Sequence, residues 1–247
     1  VRLFKGLFTQ YFLAKDEKRE INDVKRNGEV VTVTEGVPRL FSYLVTTHRN
    51  PPIDCDYNLH KSNSTFFSDL DINRAQLLLR LFGGFPRWKP TSDGVGKNEK
   101  ERSLNIALGG VSCVFKREIK PFQRFEIWSR VLAWDEKWLY IVSYFVLPGT
   151  GKAALKSLHD GAKKGKEFDP NNAILASSLS RYVFKDGRIT IRPEDALVYN
   201  GLYGDNSAFV SERDRALEVA RFFHGLDALP LHFEVAASSV LGRYWDL

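Results

Sequence analysis

From Ser64 to Phe82 the chain runs on a helical period. Phe66, Phe67, Leu70, Leu77, Leu78, Leu81 and Phe82 fall on one face, and Gly83, Gly84 and Pro86 close the run. The spacing predicts a helix of about five turns, buried along one side. Residues 103–147 then carry the strongest strand signal in the sequence. It divides into 105–119, 124–134 and 137–147, with Asp135-Glu136-Lys137 as the hairpin turn between the last two. Residues 177–193 add another pair, turning at Asp186-Gly187. Upstream, residues 28–50 are rich in β-branched and aromatic types and read as strand. A sheet whose apolar face wraps one helix buries both surfaces economically, so this order predicts an α+β fold.

The 247 residues favour one elaborated domain or two small ones, enough for a substantial core without staples. At 43% hydrophobic and 27% charged, the composition is globular. Cys55 and Cys113 make no disulfide framework, which points to a reducing, cytoplasmic compartment. The net charge of +6 fits either a solvated basic surface or attraction to something acidic: a phosphorylated carrier, an acidic protein or a membrane surface. Basic and aromatic residues are not interleaved and no nucleic-acid module occurs, so nucleic acid is not an expected partner.

The chain starts at Val1 and holds no Met, so it reads as a fragment, a processed chain or an engineered one. Residues 1–14 read as a packed amphipathic helix or as a membrane-surface helix giving peripheral membrane contact. Lys152, Lys156, Lys163, Lys164 and Lys166 cluster in a Gly- and Lys-rich stretch. That stretch is a solvated loop or an electrostatic landing site for an acidic carrier. Near the end lies an amphipathic helix that Ser211 could cap, with Asp214 in its first turn. The expected layout is an extension at 1–29, a domain at 30–200 with an insertion at about 149–172, and a helical extension at 201–247.

The stretch DCDYNLHKSNSTFFSDLDINR, residues 54–74, carries the candidate chemistry. Ser62 or Asn63 can cap the predicted helix, whose first-turn N–H groups form a positive pole. An acyl oxygen at that pole would be polarised and a developing oxyanion stabilised. Asp56, just upstream, can act as general base for water or as nucleophile. His60 can position substrate or move a proton, and Asn63, placed on the inner helix face, can offer its amide. The same residues admit a plainer reading, with Asp54 and Asp56 making turn hydrogen bonds and His60 a half-buried histidine. Asp69 and Asp71 are expected off the centre of the apolar stripe in structural roles, Asp71 pairing with Arg74. Cys55, flanked by acids, is expected to pack and not to react. The histidines lack metal-site spacing, and neither a phosphate loop nor a G-x-S-x-G elbow is present.

The stretch resembles the signature of hot-dog-fold thioesterases of the 4-hydroxybenzoyl-CoA thioesterase-like superfamily, most of all the eukaryotic and fungal branch. Asp54-Cys55-Asp56, Leu59-His60, Ser62-Asn63, Phe66, Asp71 and Arg74 carry the resemblance. Two departures stand out: Leu59 replaces the usual Gly, and Ser62 the first Asn of a pair. The resemblance implies an antiparallel sheet wrapped around a long central helix and hydrolysis of an acyl thioester on CoA or an acyl-carrier protein. It implies a homodimer or higher homo-oligomer and no metal or redox cofactor. Asp56 takes the catalytic carboxylate position, the backbone N–H near Asn63 the oxyanion role, and His60 orients the acyl group or thioester. Ser62, Ser64, Phe66 and Phe67 are the expected substrate-binding positions. Alternatives are a hot-dog dehydratase, cyclase or lactone-forming enzyme on a carrier-bound polyketide, or a non-catalytic acyl-binding protein.

Overall fold

The computed structural model describes residues 39–90, 100–150, 172–204 and 207–232. The expectations for the first 38 residues and for the lysines at 152–166 lie outside the described residues. The elements are β1 (Leu44–Arg49), α1 (Asn63–Phe82), β2 (Arg87–Trp88), β3 (Arg102–Ser103), β4 (Asn105–Phe115), β5 (Arg124–Trp134), β6 (Leu139–Val146), β7 (Ile174–Asp186), β8 (Ile189–Ile191), α2 (Pro193–Tyr199) and α3 (Ser207–Arg221). A 3-10 stretch, Phe222–His232, follows α3.

One antiparallel sheet in the order β1-β5-β6-β7-β4, with β8 added to β7, supplies the frame. Register shifts at Leu108/Gly110, Val131/Ala133 and Phe145/Val146 mark bulges. Bulges bend strands and increase twist, which curls a sheet. The concave face holds α1, giving the α+β hot-dog arrangement. α1 ends where the sequence says it should: Gly83 adopts the left-handed conformation (φ 61°) and its N–H donates to the Leu79 carbonyl. Asp135 builds the β5–β6 turn by accepting from the N–H groups of Lys137 and Trp138 at 2.8 and 2.7 Å. Gly187 supplies the positive φ of the β7–β8 turn.

Three local expectations change. Leu40 and Phe41 lie in a 3-10 turn, Arg39–Phe41, and not in a strand. Both side chains are buried, and adjacent residues of a strand would point to opposite faces. β4 stops at Phe115, because Lys116 and Arg117 turn their N–H groups to the Leu175 carbonyl. Ser211 sits inside α3, one turn past its start at Ser207, so neither it nor Asp214 belongs to the first turn.

The core under the sheet has two parts, one at each end of α1. Toward its C-terminus Leu77, Leu78, Leu81 and Phe82 pack with Val131, Trp134, Ile141 and Phe184. Toward its N-terminus Phe66 and Leu70 pack with Phe125, Ile127, Phe145 and Ala176. Between them, Ser129, Ser143, Ser178 and Cys113 stand in register across four strands. All three serines are buried, and Ser129 Oγ lies 2.6 Å from Ser143 Oγ. Small side chains there let the middle of α1 sit close to the sheet. Arg74, also buried, donates to Ser180 and Asp71; the expected Asp71–Arg74 pair forms.

α3 and the 3-10 stretch cover the opposite face of the sheet. Ala216, Ala220 and Phe223 pack on Leu132, Ala133, Tyr140 and Val142. The Arg181 guanidinium lies over the rings of Trp138 and Phe223, 4.3 and 4.7 Å from their centroids, and pairs with both oxygens of Asp227. No helix among the described residues is long and apolar enough to cross a membrane.

Candidate active site

Residues 50–62 connect β1 to α1. Pro52–Asp54 form a 3-10 turn, and Cys55 and Lys61 then pair as an antiparallel bridge. Between them Asp56 N donates to the His60 carbonyl (3.0 Å) and Leu59 N to the Asp56 carbonyl (3.1 Å). The result is a five-residue turn with Asp56 and His60 at its base. Asp56 Oδ1 accepts from Asn58 N at 2.9 Å and lies 3.6 Å from His60 Nδ1. Both side chains are partly exposed, at 26% and 29%, which leaves each reachable by substrate. The turn needs a left-handed residue at position 59. That explains why glycine suits this point of the pattern, and Leu59 takes the conformation (φ 60°) with its side chain 73% exposed.

The turn is tied to the start of α1. The Asp54 carbonyl accepts from Ser62 N at 2.8 Å and from Thr65 Oγ1 at 3.1 Å. Ser62 is the N-cap residue by backbone conformation, yet no side chain caps the helix. Its hydroxyl lies 3.0 Å from that of Ser64 instead. Asn63 and Ser64 are exposed, so the first-turn N–H groups face an accessible surface. The Asn63 side chain is therefore not on the inner face. Phe66 is buried, 4.7 Å from the Phe145 ring and 5.0 Å from Phe115, while Phe67 is half-buried beside Phe115.

Two residues around the turn, Lys61 and Asn50, escaped the sequence reading. Lys61 is buried, with Nζ 2.8 Å from Asp69 Oδ2 and 3.6 Å from Asp54 Oδ2. The Asp69 approach is an ion contact without hydrogen-bond alignment, and the ammonium also faces the Phe66 and Phe125 rings, 5.6 Å from each centroid. Asp69 has the structural role expected of it, and it is buried; its i+3 spacing from Phe66 was the available signal for that burial. Asn50, fully buried, donates to the Ile119 and Lys120 carbonyls and to Cys55 Sγ. Lys61 N donates to the Ile119 carbonyl at 2.8 Å, so the 116–123 loop abuts the turn. That loop borders an open groove of about 640 Å³, lined by Lys116, Arg117, Glu118, Lys120, Gln123, Leu147 and Leu175. Among the described residues no group of three His, Cys, Asp or Glu could hold a metal ion.

Asp56 and His60 thus stand together in the turn that leads into a helix start without a side-chain cap. The Thioesterase-like superfamily model matches residues 51–164. The "Probable thioesterase atnL" of Emericella nidulans is 46% identical over 275 aligned positions, covering 99% of this chain and 85% of the relative. "Thioesterase poxG" of Penicillium oxalicum is 39% identical over 244, covering 90% and 80%. Among solved structures, a 4-hydroxybenzoyl CoA thioesterase in complex with 4-hydroxybenzoyl CoA superposes with a TM-score of 0.41 at 11% identity, over 63% of this chain and 96% of that one. With relatives this similar matched over nearly its whole length, the chain belongs to the thioesterase-like superfamily.

Proposed function

We propose that the chain hydrolyses an acyl thioester carried on CoA or on an acyl-carrier protein. The observation that carries this reading is the Asp56–His60 turn held against an uncapped helix start through the Asp54 carbonyl. The thioester carbonyl oxygen sits at the Asn63–Ser64 N–H groups, which stabilise the negative charge that develops on it. Asp56 takes a proton from water as the water oxygen attacks the carbonyl carbon. The C–S bond then breaks, the thiolate recovers a proton, and the acid leaves. His60 orients the thioester beside the carboxylate.

Charge supports a phosphate-bearing carrier. The groove beside the turn presents Lys116, Arg117 and Lys120, and the whole chain is net positive. β4 supports assembly with a second copy. Among the described residues it pairs only with β7, and Val114 and Phe115 on it are exposed; an unpaired eleven-residue edge invites another strand.

The experiment is a thiol-release screen over acyl-CoA chain lengths and carrier-bound acyl groups, with product mass recorded. Release of free thiol together with the acid, the acyl group plus one water, is the expected result. Tight acyl binding without release, or a product that has lost water or cyclised, would overturn the reading.

A further inference from the structure

We infer that Lys61 is a positioning residue: its buried ammonium pins both ends of the Asp56–His60 turn to helix α1. The inference rests on the reading of Asp56 as the reactive carboxylate.

Three elements meet at this ammonium. Asp54, two residues before Asp56, approaches it at 3.6 Å; Asp69 of α1 approaches at 2.8 Å. Phe66 and Phe125 close the remaining sides. Lys61 itself follows His60 directly, and its backbone is bridged to Cys55 and bonded to Ile119. The one side chain therefore touches the segment entering the turn, leaves from the segment exiting it, and is anchored on the helix whose start would hold the oxyanion. A lysine with no exposed side-chain surface is a costly way to fill this space. An apolar pair of similar volume would pack at least as stably, so stability alone does not call for the ions. What the ions add is a fixed distance between the turn and the helix, which a water-activating carboxylate requires and hydrocarbon contacts do not specify.

The test separates stability from placement. Lys61→Met alone leaves Asp69 buried without its cation and should lower the thermal midpoint by about 10 °C. Lys61→Met/Asp69→Leu replaces the ammonium and the more buried of its two carboxylates by hydrocarbon, leaves Asp54 in contact with solvent, and should recover the midpoint to within roughly 4 °C. With the best acyl-CoA of the thiol-release screen, that double variant should still lose about 10- to 100-fold in kcat. KM should stay within about threefold. Amide hydrogen exchange over residues 55–60 should accelerate in the same variant. Asp69→Asn, a milder change, should lower kcat in the same direction with KM unchanged. A double variant with a restored midpoint, wild-type kcat and unchanged exchange overturns the inference. So does wild-type kcat in a folded Asp69→Asn protein. Full turnover in Asp56→Asn would sink the functional reading instead, while the exchange result would still report on the pin.

Discussion

The two ends of α1 face the same sheet and are built differently. The C-terminal end is packed from large apolar and aromatic side chains: Leu77, Leu78, Leu81 and Phe82 against Trp134, Ile141 and Phe184, closed by Gly83. The N-terminal end mixes Phe66 and Leu70 with a buried ion cluster, an uncapped helix start and a turn held by a leucine in a left-handed conformation. In the proposed reaction nothing has to reach the first end, which can be packed for stability. The other forgoes a side-chain cap and tolerates backbone strain where the proposed reaction has its ligand approach.

The contrast breaks most easily at the closed end. Leu77→Ala should cost about 2–5 kcal/mol of stability and leave kcat/KM per folded molecule unchanged; denaturant titration beside thiol-release kinetics checks both. A selective loss of activity would mean that the two ends are not separable. At the serine row between them, Ser143→Val adds bulk beneath α1 and removes the partner of Ser129. It should cost about 1–3 kcal/mol by the same titration.

At the open end the sign reverses. Leu59→Gly removes roughly 1–2 kcal/mol of left-handed strain against roughly 0.5–1 kcal/mol of added chain entropy in the unfolded state. The urea midpoint should therefore rise slightly, by an amount worth about 0.5–1 kcal/mol. A fall would show that the Leu59 side chain stabilises the turn by packing.

The last effect is confined to alkaline pH. Burial pushes the Cys113 thiol up from 9.0 to about 11, with Arg74 acting the other way. Between these values the unfolded chain has lost a proton that the folded chain keeps, so stability falls as pH rises through that window and is unaffected below it. Wild type should lose stability relative to Cys113→Ala over the same range. A constant difference between the two would contradict the placement of Cys113 under the helix.

Much of the frame is legible because its signals are local. The period of α1, its Gly83 stop, the Asp135 turn and the Asp186-Gly187 turn each depend on residues within one turn of each other. What escaped depends on contacts made in space. Leu40 and Phe41 leave the strand because both find the same core. β4 stops short because Lys116 and Arg117 bond back to Leu175. Lys61 stands in a polar run, and only the fold brings Asp69, eight residues on, against its ammonium. In the site, the order of Asp56, His60 and the helix start could be read from the motif. The outward direction of the Asn63 side chain could not, because it depends on how α1 sits in the sheet.

The central claim is that Asp56 supplies the carboxylate for thioester hydrolysis. Its most direct test is thiol release by Asp56→Asn beside wild type, with circular dichroism and thermal midpoint confirming that both are equally folded. The account predicts a loss of about 100-fold or more in turnover at an unchanged midpoint. Turnover within a few-fold of wild type in that folded variant would contradict it.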